Sequence, residues 1–253
     1  MFSLKGMNAL VTGAAGGIGS AIAHALASQG ARLALSGSNS AKLRAFRDEL
    51  NEAYPHHDHD GHVEITCDLG NTTQVEELIP AMLDTLGTMD ILVNNAGITR
   101  DATLRKMDKV GWDAVLRTNL DSMFNVTKPF IDPMVERGWG RIINVSSING
   151  SKGQFGQTNY SAAKAGVHGF TKALALEVAR KGVTVNTVSP GYLATEMVMA
   201  VREDVRQKIT DAIPVGRLGQ PAEIAELVAF IASEAAAFMT GSNVAMNGGQ
   251  HMY

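Results

Sequence analysis

The chain has 253 residues, 45% of them hydrophobic and 19% charged, with a net charge of −3 and a single cysteine, Cys67. That much apolar side chain excludes intrinsic disorder, one cysteine excludes a disulfide framework, and the charge balance leaves no basic footprint for nucleic acid. No apolar run approaches the roughly 18 residues of a membrane span, and the opening Met1-Phe2-Ser3-Leu4-Lys5-Gly6 lacks the charged and apolar regions of a signal peptide. A soluble cytoplasmic protein with neither a membrane nor a nucleic-acid partner is expected.

Along the chain, short apolar runs alternate with longer helical patterns. A strand is expected at 8–12, a helix at 18–29, and strands at 32–36 and 63–67. A helix at 73–86 follows, then strands at 91–94 and 141–146, a helix at 161–180, a strand at 183–188, a helix at 221–233 and a strand at 243–246. Runs such as Ala9-Leu10-Val11 and Ile91-Leu92-Val93 are continuously apolar, as strands covered on both faces are. Pro221 suits a first helical turn, with Gln220 before it as a cap. The alternation predicts an α/β fold, a single doubly wound domain over residues 1–253, with seven parallel strands and helices on both faces. One stretch departs from the pattern: Tyr54-Pro55-His56-His57-Asp58-His59-Asp60-Gly61-His62. Its histidines and aspartates are metal-ligand types. None is paired at helical spacing on a rigid element, so a solvated loop and no metal are expected.

The first strand runs into Thr12-Gly13-Ala14-Ala15-Gly16-Gly17-Ile18-Gly19, and a helix follows. That is the context of a dinucleotide site. Gly13 can take the tight turn, Gly17 lets backbone approach a pyrophosphate, and Gly19 permits close packing of helix on strand. The helix N-terminus then offers unpaired N–H groups to the phosphates. The second strand ends Ser36-Gly37-Ser38-Asn39-Ser40, with no carboxylate to repel a 2′-phosphate, and Lys42 and Arg44 lie just beyond. This favours NADPH, with NADH as the alternative.

Tyr160 and Lys164 stand four apart, on one face of a helix. A phenol with a pKa of roughly 10 is a poor acid at neutral pH, and a nearby ammonium is expected to lower that value. The pair is a credible general acid. Ser146 and Ser147 both end the fifth strand, where the crevice of a doubly wound sheet opens.

Thr12-Gly13-x-x-x-Gly17-x-Gly19, Asn94-Asn95-Ala96-Gly97 and Tyr160-x-x-x-Lys164, in this order, resemble the short-chain dehydrogenase/reductase family from Thr12 to Gly249. Gly16 departs, standing where many NADP-dependent relatives carry a basic residue. The resemblance implies that Ser147, thirteen residues before Tyr160, bonds the substrate carbonyl, and that Asn119 holds a water connecting Lys164 to solvent. It implies cofactor contacts from Gly13, Gly17, Ile18 and Gly19, from Ser36, Ser38 and Asn39, and from Asp68 and Leu69 at the adenine. Asn95, Ala96, Gly97, Tyr160 and Lys164 complete the wall, with Pro190, Gly191 and Thr195 at the nicotinamide. Residues 192–213 are the implied substrate lid, with Met197 and Met199 in it.

Two subfamilies are resembled. The second half, with Lys152-Gly153-Gln154-Phe155-Gly156-Gln157-Thr158-Asn159-Tyr160 and Asn247-Gly248-Gly249-Gln250-His251-Met252, resembles acetoacetyl-CoA reductases of polyhydroxybutyrate synthesis. The first half, around Leu33-Ala34-Leu35-Ser36-Gly37-Ser38, is similar to 3-oxoacyl-(acyl-carrier-protein) reductases. Reduction of a short 3-oxoacyl thioester is therefore implied, acetoacetyl-CoA to (R)-3-hydroxybutyryl-CoA foremost, with the carrier-protein thioester as the alternative. Gln154, Phe155, Gln157 and Tyr192 are expected at the substrate mouth. Arg100, Arg105 and Lys106 are expected to face the anionic carrier. A non-catalytic dinucleotide-sensing regulator is the remote alternative, disfavoured because Tyr160 and Lys164 are both retained. Helices at 110–136 and 161–180 resemble those through which relatives pair, and the 221–233 helix and last strand those of a second interface. A homotetramer follows.

Overall fold

The computed structural model describes residues 3–55 and 61–252. Its centre is a seven-stranded sheet in the order β3-β2-β1-β4-β5-β6-β7. The strands are β1 (Asn8–Thr12), β2 (Arg32–Gly37), β3 (Val63–Thr66), β4 (Ile91–Asn94), β5 (Gly140–Val145), β6 (Val183–Pro190) and β7 (Asn243–Met246). Every pairing is parallel. All seven expected strands are present, with ends displaced by at most two residues, and the fold class holds.

Helices α1 (Gly17–Ser28), α2 (Ser40–Ala53), α3 (Thr72–Leu86), α4 (Lys109–Leu116) and α5 (Ser122–Arg137) come first. Then follow α6 (Asn149–Lys152), α7 (Thr158–Val178), α8 (Glu196–Met199), α9 (Glu203–Asp211) and α10 (Pro221–Ala232). The expected helix at 110–136 is divided by a π turn, Arg117–Asp121, between α4 and α5. The 161–180 helix begins earlier, at Thr158, because the turn before it ends at Gly156, whose φ is +78°. Asn39, Asn71 and Asp108 cap α2, α3 and α4, each side chain accepting a backbone N–H of the first turn. Such caps satisfy donors that the helix itself leaves open.

Side chains on a strand alternate between the two faces. Ala9, Val11, Leu33, Leu35, Ile91, Val93, Ile143 and Val145 pack with α1, α2 and α10 in one apolar layer. Leu10, Ala34, Leu92, Ile142, Val183 and Val185 pack with α3, α5 and α7 in the other. Both faces are therefore buried, which is why the strands read as unbroken apolar runs. The strand order reverses between β1 and β4, and the crevice of such a sheet opens there, beyond the strand ends.

Residues 56–60, which carry most of the expected solvated loop, lie outside the described residues. His62 departs from that expectation. It is buried, its Nδ1 accepts the Leu33 N–H at 3.1 Å, and its own N–H donates to Asn51 Oδ1 at 2.7 Å. It serves as a packing residue against β2.

Candidate active site

The glycine turn leaves β1 with Gly13 at φ +63°. A Cβ on Gly19 would stand 2.2 Å from the Gly13 carbonyl oxygen and 2.7 Å from Asn95 Nδ2. Only a hydrogen fits there, so α1 begins directly against the turn. The turn is tied to the end of β4: Thr12 Oγ1 accepts the N–H groups of Asn95 at 2.9 Å and Ala96 at 3.0 Å. Asn95 Nδ2 donates back to the Thr12 carbonyl at 2.9 Å. Asn95 thus holds the shape of the turn. A Cβ on Gly17 would lie 3.1 Å from Thr195 Cγ2, which brings Thr195 over the turn. A cradle of glycines at a helix N-terminus, closed by Thr195 and the Asn95–Gly97 segment, fits a dinucleotide pyrophosphate.

The second-strand residues separate. Ser36 is 1% exposed and shares the lining of a small apolar cavity with Leu10, Cys67 and Val75, so its hydroxyl points away from the crevice. Strand alternation is the cause, since Ser36 lies on the same face as Ala34. Its carbonyl instead accepts the Ala14 N–H at 2.9 Å, bracing the glycine turn. Asn39 is spent as the α2 cap, accepting Lys42 N–H at 2.9 Å. Arg44 is drawn to Glu64 at 3.6 Å. Ser38 and Lys42 remain exposed beside the α2 N-terminus. At the end of β3, Asp68 Oδ1 accepts the Gly70 N–H at 3.0 Å, and the Leu69 carbonyl accepts Asn125 Nδ2 at 3.0 Å.

At the other end of the crevice Ser147 follows β5, while Tyr160 and Lys164 sit in the first turns of α7. The two serines are now distinguished. Ser146 Oγ donates to the Lys164 carbonyl at 2.8 Å and is buried structure. Ser147 faces the Tyr160 phenol closely enough to lower its pKa. Lys164 Nζ donates to the Val145 carbonyl at 2.8 Å and lies 5.7 Å from the Tyr160 ring centre. Gly97 closes on the same ammonium, since a Cβ there would stand 3.6 Å from Lys164 Nζ.

Burial pushes Lys164 down from the ordinary 10.5 to about 8. Tyr160 moves the other way. Burial raises its pKa, the Ser147 hydroxyl opposes this, and the Asp101 carboxylate adds to the rise. The expected depression by Lys164 is not what governs this phenol. The ammonium is itself destabilised by burial and committed to Val145. Tyr160 therefore stands as a firmly protonated hydroxyl.

Asn119 lies buried in the π turn. Its Oδ1 accepts the Ile98 N–H at 2.8 Å and its Nδ2 donates to the Ile98 carbonyl at 2.9 Å. The amide thus pins the segment leaving β4. Pro190 ends β6 and Gly191 follows it, the Pro190 carbonyl accepting Ile148 N–H at 2.9 Å.

The mouth differs from expectation. Phe155 is 87% exposed. Gly153 and Gly156, both with positive φ, turn the loop that carries it outward. Gln154 is exposed as well. The Gln157 amide is already engaged, by Asn149 and by Asp101. Tyr192 is half-buried, its pKa raised by burial and then by Asp101. Asp101, facing both phenols, was not singled out in the sequence. Its only signal there was its place after Asn94-Asn95-Ala96-Gly97. The lid region carries α8 and α9, with Met197 and Met199 exposed.

Residues 13–251 match the family model described as enoyl-(acyl carrier protein) reductase. The chain is 52% identical to an acetoacetyl-CoA reductase of Cupriavidus necator, over 96% of this chain and 98% of that one. It is 53% identical to nodulation protein G of Azospirillum brasilense, over 95% and 96%. It is 44% identical to a 3-oxoacyl-(acyl-carrier-protein) reductase of Vibrio cholerae, over 99% of both chains. No helix among the described residues is long and apolar enough to cross a membrane. Glycine cradle, strand order and full-length likeness together make this chain a nicotinamide-dinucleotide oxidoreductase of the short-chain dehydrogenase/reductase family.

Proposed function

We propose that the enzyme reduces short 3-oxoacyl thioesters with NADPH, acetoacetyl-CoA to (R)-3-hydroxybutyryl-CoA foremost. The observation that carries the reading is the meeting of Ser147, Tyr160 and the buried Lys164 ammonium beside the glycine cradle. The acetoacetyl-CoA reductases among its relatives supply the substrate.

The pyrophosphate is assigned to Gly13, Gly17, Ile18, Gly19 and the α1 N-terminus. The 2′-phosphate goes to Ser38 and Lys42, and the adenine to Asp68 and Leu69. Asn95, Ala96, Gly97, Pro190, Gly191 and Thr195 are assigned to the nicotinamide end, with Tyr160 and Lys164 at its ribose. When bound, the cofactor supplies a hydride to the 3-keto carbon. Ser147 and Tyr160 donate hydrogen bonds to the carbonyl oxygen and polarise it. Tyr160 gives its proton to that oxygen as the C–H bond forms, so the carbonyl becomes a hydroxyl. Lys164 offsets the phenolate charge left on Tyr160. Asn119 fixes the π turn against Ile98, where a water can link Lys164 to solvent and restore the proton.

The test is steady-state kinetics with NADPH and NADH, on acetoacetyl-CoA and on acetoacetyl-carrier protein. Higher kcat/KM on the CoA thioester is expected. Higher efficiency on the carrier-protein thioester would move the enzyme to the second reading, which the Vibrio relative favours. Tyr160→Phe is expected to cut kcat by about 100-fold or more while cofactor binding persists. Near-wild-type turnover in that variant would sink the assignment, and binding without turnover in the wild type would revive the regulator reading.

Val110, Phe124 and Leu176 are exposed apolar residues on α4, α5 and α7. We assign that face to one interface of a cytoplasmic homotetramer, with α10 and β7 forming the second. Light scattering on the purified protein tests it.

A further inference from the structure

Three residues at the mouth form a hydrogen-bond chain that ends on Ser147. Asp101 Oδ2 accepts from Gln157 Nε2 at 2.8 Å. Gln157 Oε1 accepts from Asn149 Nδ2 at 3.0 Å. The Asn149 backbone N–H donates to Ser147 Oγ at 3.1 Å. The chain is held in place by backbone pairing, since the Ala102 N–H donates to the Gly156 carbonyl at 2.9 Å and Ala102 bridges to Gln157.

We propose that Asp101, Gln157 and Asn149 are positioning residues: the acceptor-only carboxylate of Asp101 sets the direction of both amides, their hydrogen bonds anchor Asn149, and the backbone N–H of Asn149, held there, occupies Ser147 Oγ as an acceptor and leaves its hydroxyl ready to donate. The proposal rests on the thioester-reductase reading, because it assigns Ser147 the substrate carbonyl.

The polarity follows from what each group carries. An ionised carboxylate has no hydrogen to give. Gln157 must therefore turn its NH₂ outward to Asp101 and its oxygen inward. Asn149 must meet that oxygen with its own NH₂. Its Oδ1 is then left facing protein, and this atom is buried without a hydrogen-bond partner in a residue 8% exposed. An orphaned acceptor is costly. Turning the Asn149 amide over would set its oxygen against the Gln157 oxygen, so the Asp101 end enforces the orphan. Asn149 opens α6, and the first N–H groups of a helix have no partner within it. That N–H is free to occupy one lone pair of Ser147 Oγ, which leaves the serine hydrogen for donation. Gln157 was expected to touch substrate directly. One N–H and one lone pair of its amide are taken up within the protein.

A polarity swap separates the two roles. Gln157→Glu places two carboxylates face to face, and kcat for acetoacetyl-CoA should fall by on the order of tenfold or more through misplacement of Ser147, with KM little changed. Asp101→Asn combined with Gln157→Glu reverses the first link, Asn donating to Glu, and keeps the second link and the net charge. The double variant should recover most of the lost kcat. Asp101→Asn alone, which can present either end, should fall between. A double variant no better than Gln157→Glu, a single variant with no loss, or a loss confined to KM would overturn the proposal in favour of direct substrate contact. Melting temperatures of all three variants check that the fold is intact. If the wild type turns over neither thioester, the thioester reading fails separately. The same comparison on ethyl acetoacetate, whose keto group makes the same demand on Ser147, then still decides the positioning role.

Discussion

Lys164→Met isolates what it costs to keep an ammonium inside the protein. Lys164 is buried, and its Nζ donates to the Val145 carbonyl. Burial pushes its pKa from 10.5 to about 8. Between those values the unfolded chain keeps a proton that the folded protein has released. Stability contributed by this group therefore rises with pH across that window and levels off above it. Below the folded value both states are charged, and the folded state bears the full desolvation cost, about 3 kcal/mol. Raising the pH from about 7 to about 10 should restore most of this, on the order of 2–3 kcal/mol, to the wild type. Methionine has similar reach and no charge, so its stability lacks this part of the curve. At pH 7 the variant escapes the desolvation cost and leaves the Val145 carbonyl without its donor, a penalty of about 1–3 kcal/mol. The balance predicts a variant more stable than wild type by up to about 2 kcal/mol at pH 7 and less stable near pH 10.

The assay is urea unfolding of both proteins without cofactor, at the two pH values and one protomer concentration, since association shifts apparent stability. The other titrating groups are common to both proteins and largely cancel in the difference; His168, whose pKa burial and then the Lys172 and Lys164 charges lower from 6.5, is neutral in the wild type at both pH values. A stability gap of the same size at both pH values would refute the reasoning. Turnover should be lost in the variant at either pH, so the residue that serves the chemistry is also one that weakens the fold.

Two further outcomes follow from the cradle. Gly19→Ala drives a methyl to 2.2 Å from the Gly13 carbonyl oxygen, and the Gly13 backbone on one side and the Asn95 amide, itself bonded to the Thr12 carbonyl, on the other leave it no retreat. Dinucleotide binding should disappear in calorimetry, with a stability loss of about 1–3 kcal/mol from overpacking. Unaltered binding would show that the turn is looser than its contacts indicate. Ser38→Asp sets a carboxylate beside the site assigned to the 2′-phosphate. KM for NADPH should rise by more than about tenfold through like-charge repulsion, with KM for NADH little changed. An equal effect on both cofactors would place the 2′-phosphate elsewhere.

What the sequence showed plainly was what is local in it. The glycine turn, the Tyr160–Lys164 pair and the strand-helix alternation each lie within a few residues, where period and spacing translate directly into geometry. Directions were harder. Ser36 reads as a strand-end hydroxyl, yet the strand's alternation turns it into the apolar layer with Ala34. Phe155 reads as a pocket wall, yet two left-handed glycines swing it into solvent. The effect of Lys164 on Tyr160 reads as a charge effect alone, whereas burial acts on both groups and is the first cause for each. Asp101 and Asn149 were invisible because their roles depend on contacts made 56 and 8 residues away, both through Gln157.

The buried polar residues under the crevice connect the sheet to the chemistry. Asn94 pairs in register with Asn144, and Asn144 with Thr187, across β4, β5 and β6. Asn94 Nδ2 donates to Asn144 Oδ1 at 2.9 Å, and Asn144 Nδ2 to Thr171 Oγ1 at 2.9 Å. Thr171 and Thr187 hydroxyls meet at 2.7 Å. Apolar side chains alone specify register only loosely here, because both faces of the sheet are apolar. A one-residue slip of β5 would turn Asn144 into the opposite layer, among Val93 and Val188. Its amide would then be buried without partners, at a cost of several hydrogen bonds. The residue after Asn144 is Val145, whose carbonyl holds the Lys164 ammonium, and two residues further on stands Ser147. The polar ladder that forbids the slip therefore also fixes where along β5 the ammonium and the serine come to rest. A core of purely apolar residues at these positions would fold as a sheet without fixing that alignment.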